Sequence, residues 1–253
     1  MSETSVTLPD GVELLHFEEI DSTSSEAARQ IAAGNETPTW IWADRQVAGR
    51  GRRGREWVSQ SGNLFCTLML PVTVTVAEAA KLSFVAALAG AAMVEHFAPG
   101  ADVQVKWPND VLLRGKKVMG ILLESNTSTI DQDKIVLSIG IGVNLTSYPD
   151  NVETKATSIQ SQGFEAPLPA DALSVLANET HRLLAIWEQK GFGPLREAWL
   201  AKAKGVGQDI RVRLPHETLL GVFDGLDDTG ALVLKKSDGG VQLITAGEVF
   251  FED

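Results

Sequence analysis

Cysteine is almost absent from this chain, and positive charge is in deficit. One cysteine, Cys66, stands among 253 residues. That excludes an internal disulfide framework and makes a thiolate zinc site a poor reading. Cys66 sits inside the apolar run Leu64–Leu70 and reads as a buried strand residue. The 22 Lys and Arg face 33 Asp and Glu, a formal net charge of −11. A general nucleic-acid binder needs a basic footprint, which this balance argues against. The four histidines (His16, His96, His181 and His216) are scattered, so no metal constellation is expected. No uninterrupted membrane-length apolar run occurs. The alanine-rich stretch Val76–Ala98 is broken by Glu78, Lys81, Ser83, Glu95 and His96 and reads as a packed helix. The first ten residues are acidic and polar without an apolar signal core, so the expected compartment is the cytoplasm.

Enough apolar sequence is present to bury a real core. Hydrophobic residues make up 44% and charged residues 22%, which excludes a wholly disordered chain. Val12–Ile20 has strand character. Asp21–Glu26 then offers capping side chains before a helical run over Glu26–Ala33. Thr39–Ala43 and Leu64–Leu70 read as strands, the second stopped by Pro71. Val76–Phe97 is expected as one long helix. Short strands at Val103–Lys106 and Val111–Leu113 flank Trp107-Pro108-Asn109-Asp110. Lys117–Glu124 and Ile135–Val143 lack a helix between them, which predicts antiparallel pairing. Helices follow at Ala170–Lys190 and Pro194–Lys204. Past Gly205 the texture changes to short strands split by Asp-Gly-type turns, the pattern of a small closed sheet. A domain boundary is therefore expected there, giving domains 1–204 and 205–253.

The distribution of the few positive charges is uneven. Arg45, Arg50, Arg52, Arg53 and Arg55 fall within eleven positions that contain no acid. Gly49-Arg50-Gly51-Arg52-Arg53-Gly54-Arg55 contains a literal G-x-G-x-x-G, but no helix start follows it, so a dinucleotide fold is not supported. No G-x-x-x-x-G-K-[ST] P-loop occurs either. The loop could be a solvated basic segment, a nucleic-acid contact, or a flexible clamp over a phosphate or carboxylate. Arginine forks match both anions, and glycine lets the backbone come close and move. The clamp is favoured, because nucleic-acid contact expects basic charge elsewhere.

Four ordered motifs then carry a resemblance. They are the arginine–glycine loop, Lys106-Trp107-Pro108-Asn109-Asp110, Lys117-Val118-Met119-Gly120-Ile121-Leu122-Leu123-Glu124, and Gly140-Ile141-Gly142-Val143-Asn144. Together with Asp21-Ser22-Thr23 they resemble the biotin protein ligase family, from about Val12 to Asp253. The resemblance implies an α/β (α+β) fold: a mixed, mostly antiparallel sheet with helices packed on one face, then a small SH3-like β-barrel. It implies an ATP-dependent enzyme that converts biotin to biotinyl-5′-AMP. The biotin then passes to a lysine of a biotin carboxyl carrier protein domain, as in acetyl-CoA carboxylase.

It also implies roles. Two anions meet in the first step, and their repulsion must be neutralised. Lys117 matches the lysine bridging the biotin carboxylate and the α-phosphate, and Arg50 and Arg52 match catalytic loop residues. Ser22, Thr23, Ser24 and Gln46 match the partners of biotin's polar ring, with Gly51, Gly120, Gly140 and Gly142 beside the ligand. Arg52, Arg55, Trp57, Lys106, Asn109 and Asn144 match the nucleotide side. Helix capping remains a competing role for Ser22 and Thr23, and a core position for Trp57. Mg²⁺ would accompany ATP, held mainly by phosphates, with no protein metal site. The resemblance leaves room for a homodimer without deciding it. A lipoate protein ligase or a non-enzymatic arginine–glycine RNA binder are the competing readings.

Some members of the family carry an N-terminal DNA-binding module of roughly 60 residues. Only 20 residues precede Asp21. No specific DNA partner and no membrane are expected. In a gel-shift titration the chain should give no sequence-specific DNA complex; a tight, specific shift would overturn this.

Overall fold

A computed structural model describes residues 5–131, 134–150 and 155–251. Residues 1–4 of the acidic opening segment, 132–133 of the polar link, 151–154 of the loop and the last two residues lie outside the described residues.

The apolar runs become strands where the alternation has period two. In chain order the first unit comprises β1 (Glu13–Ile20), α1 (Thr23–Ala32), β2 (Thr39–Gln46), β3 (Leu64–Val72), α2 (Val76–Ala80), α3 (Leu82–Phe97), β4 (Val103–Lys106), β5 (Asp110–Leu113), β6 (Lys116–Thr127), β7 (Ile135–Val143), α4 (Pro169–Lys190) and α5 (Gly193–Lys202). Its seven strands lie in the order β1-β2-β3-β7-β6-β5-β4. Only β1 and β2 are parallel; every other neighbour is antiparallel. The expected antiparallel pairing of β6 with β7 is present in full, from Met119↔Val143 to Thr127↔Ile135.

The sheet's two faces have different jobs. Leu64, Cys66 and Leu68 of β3 and Leu137, Ile139, Ile141 and Val143 of β7 share one buried cluster with α3, α4 and α5. The intervening residues face the other way. There Met69 and Val136 meet Ile31 of α1. With Ala79 of α2 in the same cluster, helices α2 to α5 cover one face, as expected, while α1 stands on the opposite one. A parallel β1–β2 pair needs a crossover, and α1 supplies it on the face the others leave open. That second face holds the glycines of β6 and β7 and becomes the floor of a cavity.

Local details depart from the sequence expectations for physical reasons. β3 continues through Pro71 to Val72. Beyond Met69 it pairs with β7 alone, and an unpaired side is where a strand tolerates proline. The long helix is divided at Lys81 into α2 and α3, with Thr75 accepting from Glu78 as an N-cap. Val76–Phe97 is apolar and long enough to cross a membrane by composition, yet 61% of its most apolar window is buried inside the protein. The α1 helix begins at Thr23, earlier than expected, and the Ser22 hydroxyl makes no capping hydrogen bond.

A second sheet follows: β8 (Asp209–Arg213), β9 (Thr218–Leu226), β10 (Leu232–Lys235), β11 (Val241–Ile244) and β12 (Glu248–Phe251). The order is β11-β10-β9-β8-β12, all antiparallel. Among the described residues β11 and β12 remain at opposite edges. The small unit is thus an open antiparallel sheet, not the closed barrel expected. It is tied to the first unit by Trp107, whose indole N–H donates to the carbonyl of Gly230 at 3.2 Å.

Trp199 of α5 is fully buried and meets Phe84 of α3 edge to face, with ring centroids 5.4 Å apart. Removing so large a side chain leaves a cavity. Trp199→Ala should cost about 3–5 kcal/mol in urea unfolding; a cost near zero would contradict this core assignment.

Candidate active site

A cavity of about 350 Å³ opens on the glycine-bearing face, between the first sheet and β12. Every residue given a catalytic, biotin or nucleotide role from the sequence lines it, while Asp21 and Arg45 do not. Ser22, Thr23, Ser24 and Gln46 come from the β1–α1 junction and the end of β2. Arg50, Gly51, Arg52, Arg55 and Trp57 come from the loop, and Lys106 and Asn109 from the β4–β5 hairpin. Lys117 and Gly120 come from β6, Gly140 and Gly142 from β7, and Asn144 from the residue just beyond β7. Sequence separations of more than a hundred residues are closed by the sheet order alone.

One end is a polar relay. Gln46 Oε1 accepts from the Thr23 backbone N–H at 2.8 Å and from its hydroxyl at 3.2 Å. Thr67 donates to the Thr23 hydroxyl at 2.8 Å. The Gln46 amide donates to Ser59, and Ser59 donates to the carbonyl of Trp57. Ser59 was not singled out in the sequence, because a lone serine in a polar stretch carries no pattern. The same holds for Arg29 of α1, whose two terminal nitrogens grip the Asp21 carboxylate at 2.9 and 2.7 Å. Asp21 in turn accepts from the Ser22 backbone. The Arg29 hydrogen bonds hold the Asp21 carboxyl down at about 2 from its ordinary 3.8.

The floor is made by glycine. Gly120 and Gly142 face each other across β6 and β7. A Cβ at Gly142 would lie 2.3 Å from the Trp57 indole, and one at Gly120 would lie 2.8 Å from it. A Cβ at Gly140 would lie 2.8 Å from the Ser24 hydroxyl. The glycines at 120 and 142 thus admit the tryptophan, while Gly140 admits α1. Trp57 is a lining residue of the cavity, not a core residue, and its buried indole N–H meets no acceptor among the described residues.

A β-bulge aims the key lysine. Val111 pairs with Met119, but the next residue, Leu112, pairs with Lys117, so Val118 is extra. The extra residue turns Lys117 onto the cavity side with Gly120, while Lys116 stays exposed. Lys117 Nζ sits 2.6 Å from Asp110 Oδ1 and 5.3 Å from the Trp57 ring.

The other end is cationic. Arg52 donates to Asn109 Oδ1 at 3.0 Å, and the Asn109 amide donates to the Ile121 carbonyl. Burial, reinforced by Arg53, pushes the Arg52 guanidinium below its usual range. Burial likewise lowers Lys106, opposed by Asp110. Two loop arginines are engaged elsewhere: Arg50 is gripped by both oxygens of Glu124, and Arg55 binds Glu248. Asn144 is buried, and its amide is committed to the Thr157 carbonyl, so it also anchors the following loop. No group of three or more potential metal ligands occurs among the described residues. Asp110, the last residue of the Lys106–Asp110 motif but given no role there, and Glu248, which carried no signal in the sequence beyond its charge, also line the cavity.

A mixed sheet with a glycine-floored cavity, one polar end and one cationic end suits an enzyme that joins a small acid to an activating anion. The chain belongs to the biotin/lipoate A/B protein ligase family, which it matches over residues 17–144, and residues 205–252 match the biotin protein ligase C-terminal domain. It is 45% identical to the biotin–[acetyl-CoA-carboxylase] ligase of Paracoccus denitrificans, covering 91% of this chain and 97% of that protein. It is 31% identical to the bifunctional ligase/repressor BirA of Escherichia coli, covering 95% of this chain and 74% of that protein. The biotin protein ligase of Aquifex aeolicus, solved in complex with biotin and ATP, superposes with a TM-score of 0.78 at 26% identity, covering 94% and 97% of the two chains.

The Asp21–Arg29 pair gives a signed pH expectation. A carboxyl whose folded value lies below its unfolded one contributes stability above about pH 4, and that contribution fades as pH falls towards 2. Carbon-detected NMR titration of Arg29→Ala should return Asp21 towards 3.8. An Asp21 still near 2 in that variant would refute Arg29 as the cause.

Proposed function

We infer that this chain is a biotin protein ligase that activates biotin with ATP and delivers it to a lysine of a biotin carboxyl carrier domain. The observation that carries the reading is the bulge at Val118. It aims Lys117 at the glycine floor, between the Thr23–Gln46 relay and the Asn109–Arg52 pair.

Biotin has a neutral polar ring, an apolar body and a carboxylate tail. Ser22, Thr23, Ser24 and Gln46 suit the ring, since a few fixed donors and acceptors orient a ligand in a largely apolar pocket. Lys117 suits the place where carboxylate and α-phosphate meet, because a point cation offsets their mutual repulsion. Asp110 holds the ammonium in position without a ligand and must share it once an anion arrives. In the first step a carboxylate oxygen attacks the α-phosphorus and pyrophosphate leaves. In the second the acceptor amine attacks the acyl carbon, loses a proton, and AMP leaves.

The nucleotide falls to Arg52, Lys106, Asn109 and Asn144, with Arg55 at the loop's outer end. Trp57 divides the two substrates' regions, and its unaccepted N–H is a donor available to a ligand. Mg²⁺ fits as a phosphate-held ion, since Asp110 is engaged by Lys117 and Glu248 by arginines. Arg50 would join the anions by exchanging Glu124 for substrate. We assign residues 205–253 to a separate C-terminal domain and the protein to the cytoplasm. A lipoate ligase would share the activation chemistry, but the 45% identity over most of the chain is to a biotin ligase.

Incubation with ATP, labelled biotin or labelled lipoate, and a carrier domain tests the reading. Label should pass from biotin and not from lipoate; no transfer of either would refute it. Lys117→Gln should slow biotin-dependent ATP–pyrophosphate exchange by about 10²-fold, the scale of losing one charge-stabilising donor. Its unfolding midpoint should stay close to that of the parent.

A further inference from the structure

Three buried hydroxyl residues at the start of α1, Ser22, Thr23 and Ser24, line the polar end of the cavity. Two of them are held by their own side chains. The Thr23 hydroxyl donates to Gln46 Oε1 at 3.2 Å and accepts from Thr67 at 2.8 Å, and the Ser24 hydroxyl lies 3.4 Å from that of Thr67. Ser22 is different. It occupies the N-cap position with extended backbone, yet its hydroxyl makes no capping hydrogen bond. Its ties run through the backbone. The Ser22 N–H donates to Asp21 Oδ1 at 2.7 Å, and the Ser22 carbonyl accepts from the Glu26 N–H at 3.0 Å.

Both anchors lead to one residue. Arg29 donates from Nη1 and Nη2 to the two Asp21 oxygens at 2.9 and 2.7 Å, and from Nε to Glu26 Oε2 at 2.7 Å. A single guanidinium therefore spans the junction, since Asp21 lies before the helix and Glu26 inside it. The other Glu26 oxygen accepts from Gln30 at 2.7 Å, which fixes that carboxylate in turn. A planar fork can hold both oxygens of one carboxylate and still reach a second; an ammonium lacks that geometry. With its carboxyl held at about 2, Asp21 stays an anion and a full acceptor for the Ser22 N–H at any working pH. Neither Asp21 nor Arg29 lines the cavity.

We propose that Arg29 is a positioning residue for biotin: by clamping Asp21 to α1 it fixes the turn at Ser22 and leaves that hydroxyl free for the ligand. The proposal rests on the ligase reading above. Serine at an N-cap ordinarily spends its hydroxyl on the free N–H groups of the first helical turn. Without the fork, Asp21 turns to water, the backbone at Ser22 loosens, and the hydroxyl can rotate into that capping role. A hydroxyl spent on the helix is lost to biotin's polar ring. The ring is remote from the reacting carboxylate, so its contacts are equal in ground and transition states. Their loss then falls on KM and not on kcat.

Calorimetric titration of the full chain with biotin alone, joined to kcat and KM for biotin and for ATP during carrier labelling, tests the clamp. Arg29→Ala should weaken biotin binding about fivefold, the upper range for a partly exposed ion pair, and raise KM for biotin by a similar factor. KM for ATP and kcat should stay within about twofold of the parent. In a Ser22→Ala background the same change should cost no more than about a further twofold in biotin affinity, because the hydroxyl it positions is gone. A purely structural role would add its full loss there. Arg182→Ala, which removes an exposed pair with Glu179 on α4, should bind biotin like the parent. Unchanged biotin affinity in Arg29→Ala, an equal rise in both KM values, or the full extra loss in the Ser22→Ala background each overturns the clamp. If Arg29→Ala unfolds at the assay temperature, Arg29→Lys decides, since it keeps the charge without the fork. Weaker biotin binding at an unchanged KM for ATP supports the clamp, and parental binding overturns it. A parent protein that neither binds biotin nor labels the carrier refutes the ligase reading, and the clamp with it.

Discussion

Two glycines facing each other across β6 and β7 set the terms for everything above them. Gly120 and Gly142 offer bare backbone where any side chain would collide with the Trp57 indole. That bare patch seats the tryptophan, and the tryptophan ends the arginine–glycine loop. Its carbonyl accepts from Ser59, which joins the loop to Gln46 and thence to Thr23. A polar end and a cationic end are thus held in one frame by hydrogen bonds radiating from a glycine floor. The opposite face of the same strands carries Ile139, Ile141 and Val143 into the main core, so the floor is stiff. Close packing below is what lets the upper face be sparse.

Charge follows the same logic. The chain is acidic overall, yet its cavity collects Arg52, Lys106 and Lys117. Four of the site's cations have a nearby counter-group, Asn109 for Arg52, Asp110 for Lys117, Glu124 for Arg50 and Glu248 for Arg55, while Lys106 stands over the Phe250 and Phe251 rings. These partners keep the cations ordered while no anionic substrate is bound. They are also exchangeable, since a phosphate or carboxylate oxygen can replace a side-chain oxygen at little geometric cost. The net charge of −11 therefore argues only against extended polyanions, not against one nucleotide and one small acid.

Legibility differed by kind of feature. The antiparallel β6–β7 pair was readable because two apolar runs with no helix between them have few other options. The site's membership was readable because its residues fall in ordered motifs. What the motifs could not carry was direction. Lys116 and Lys117 are adjacent and chemically identical; the extra residue Val118 decides which one faces the cavity. Ser22 and Thr23 look like helix caps in sequence, but Thr23 spends its hydroxyl on Gln46 and the Ser22 hydroxyl caps nothing. Ser59, Arg29 and Glu248 were invisible, since each acts through a partner that is remote or unpatterned.

From its sequence alone this protein determined its local elements, its charge-rich loop and its family, because those rest on periodicity, turn chemistry and short-range motifs. Only the tertiary structure decided that α1 stands on the face opposite the other helices and that the second sheet stays open. It also decided that β12 reaches into the first unit's cavity with Glu248. Those outcomes depend on which strands become neighbours across long separations. Strand order, crossover and bulge are settled by the packing of whole faces, which no local window of residues contains.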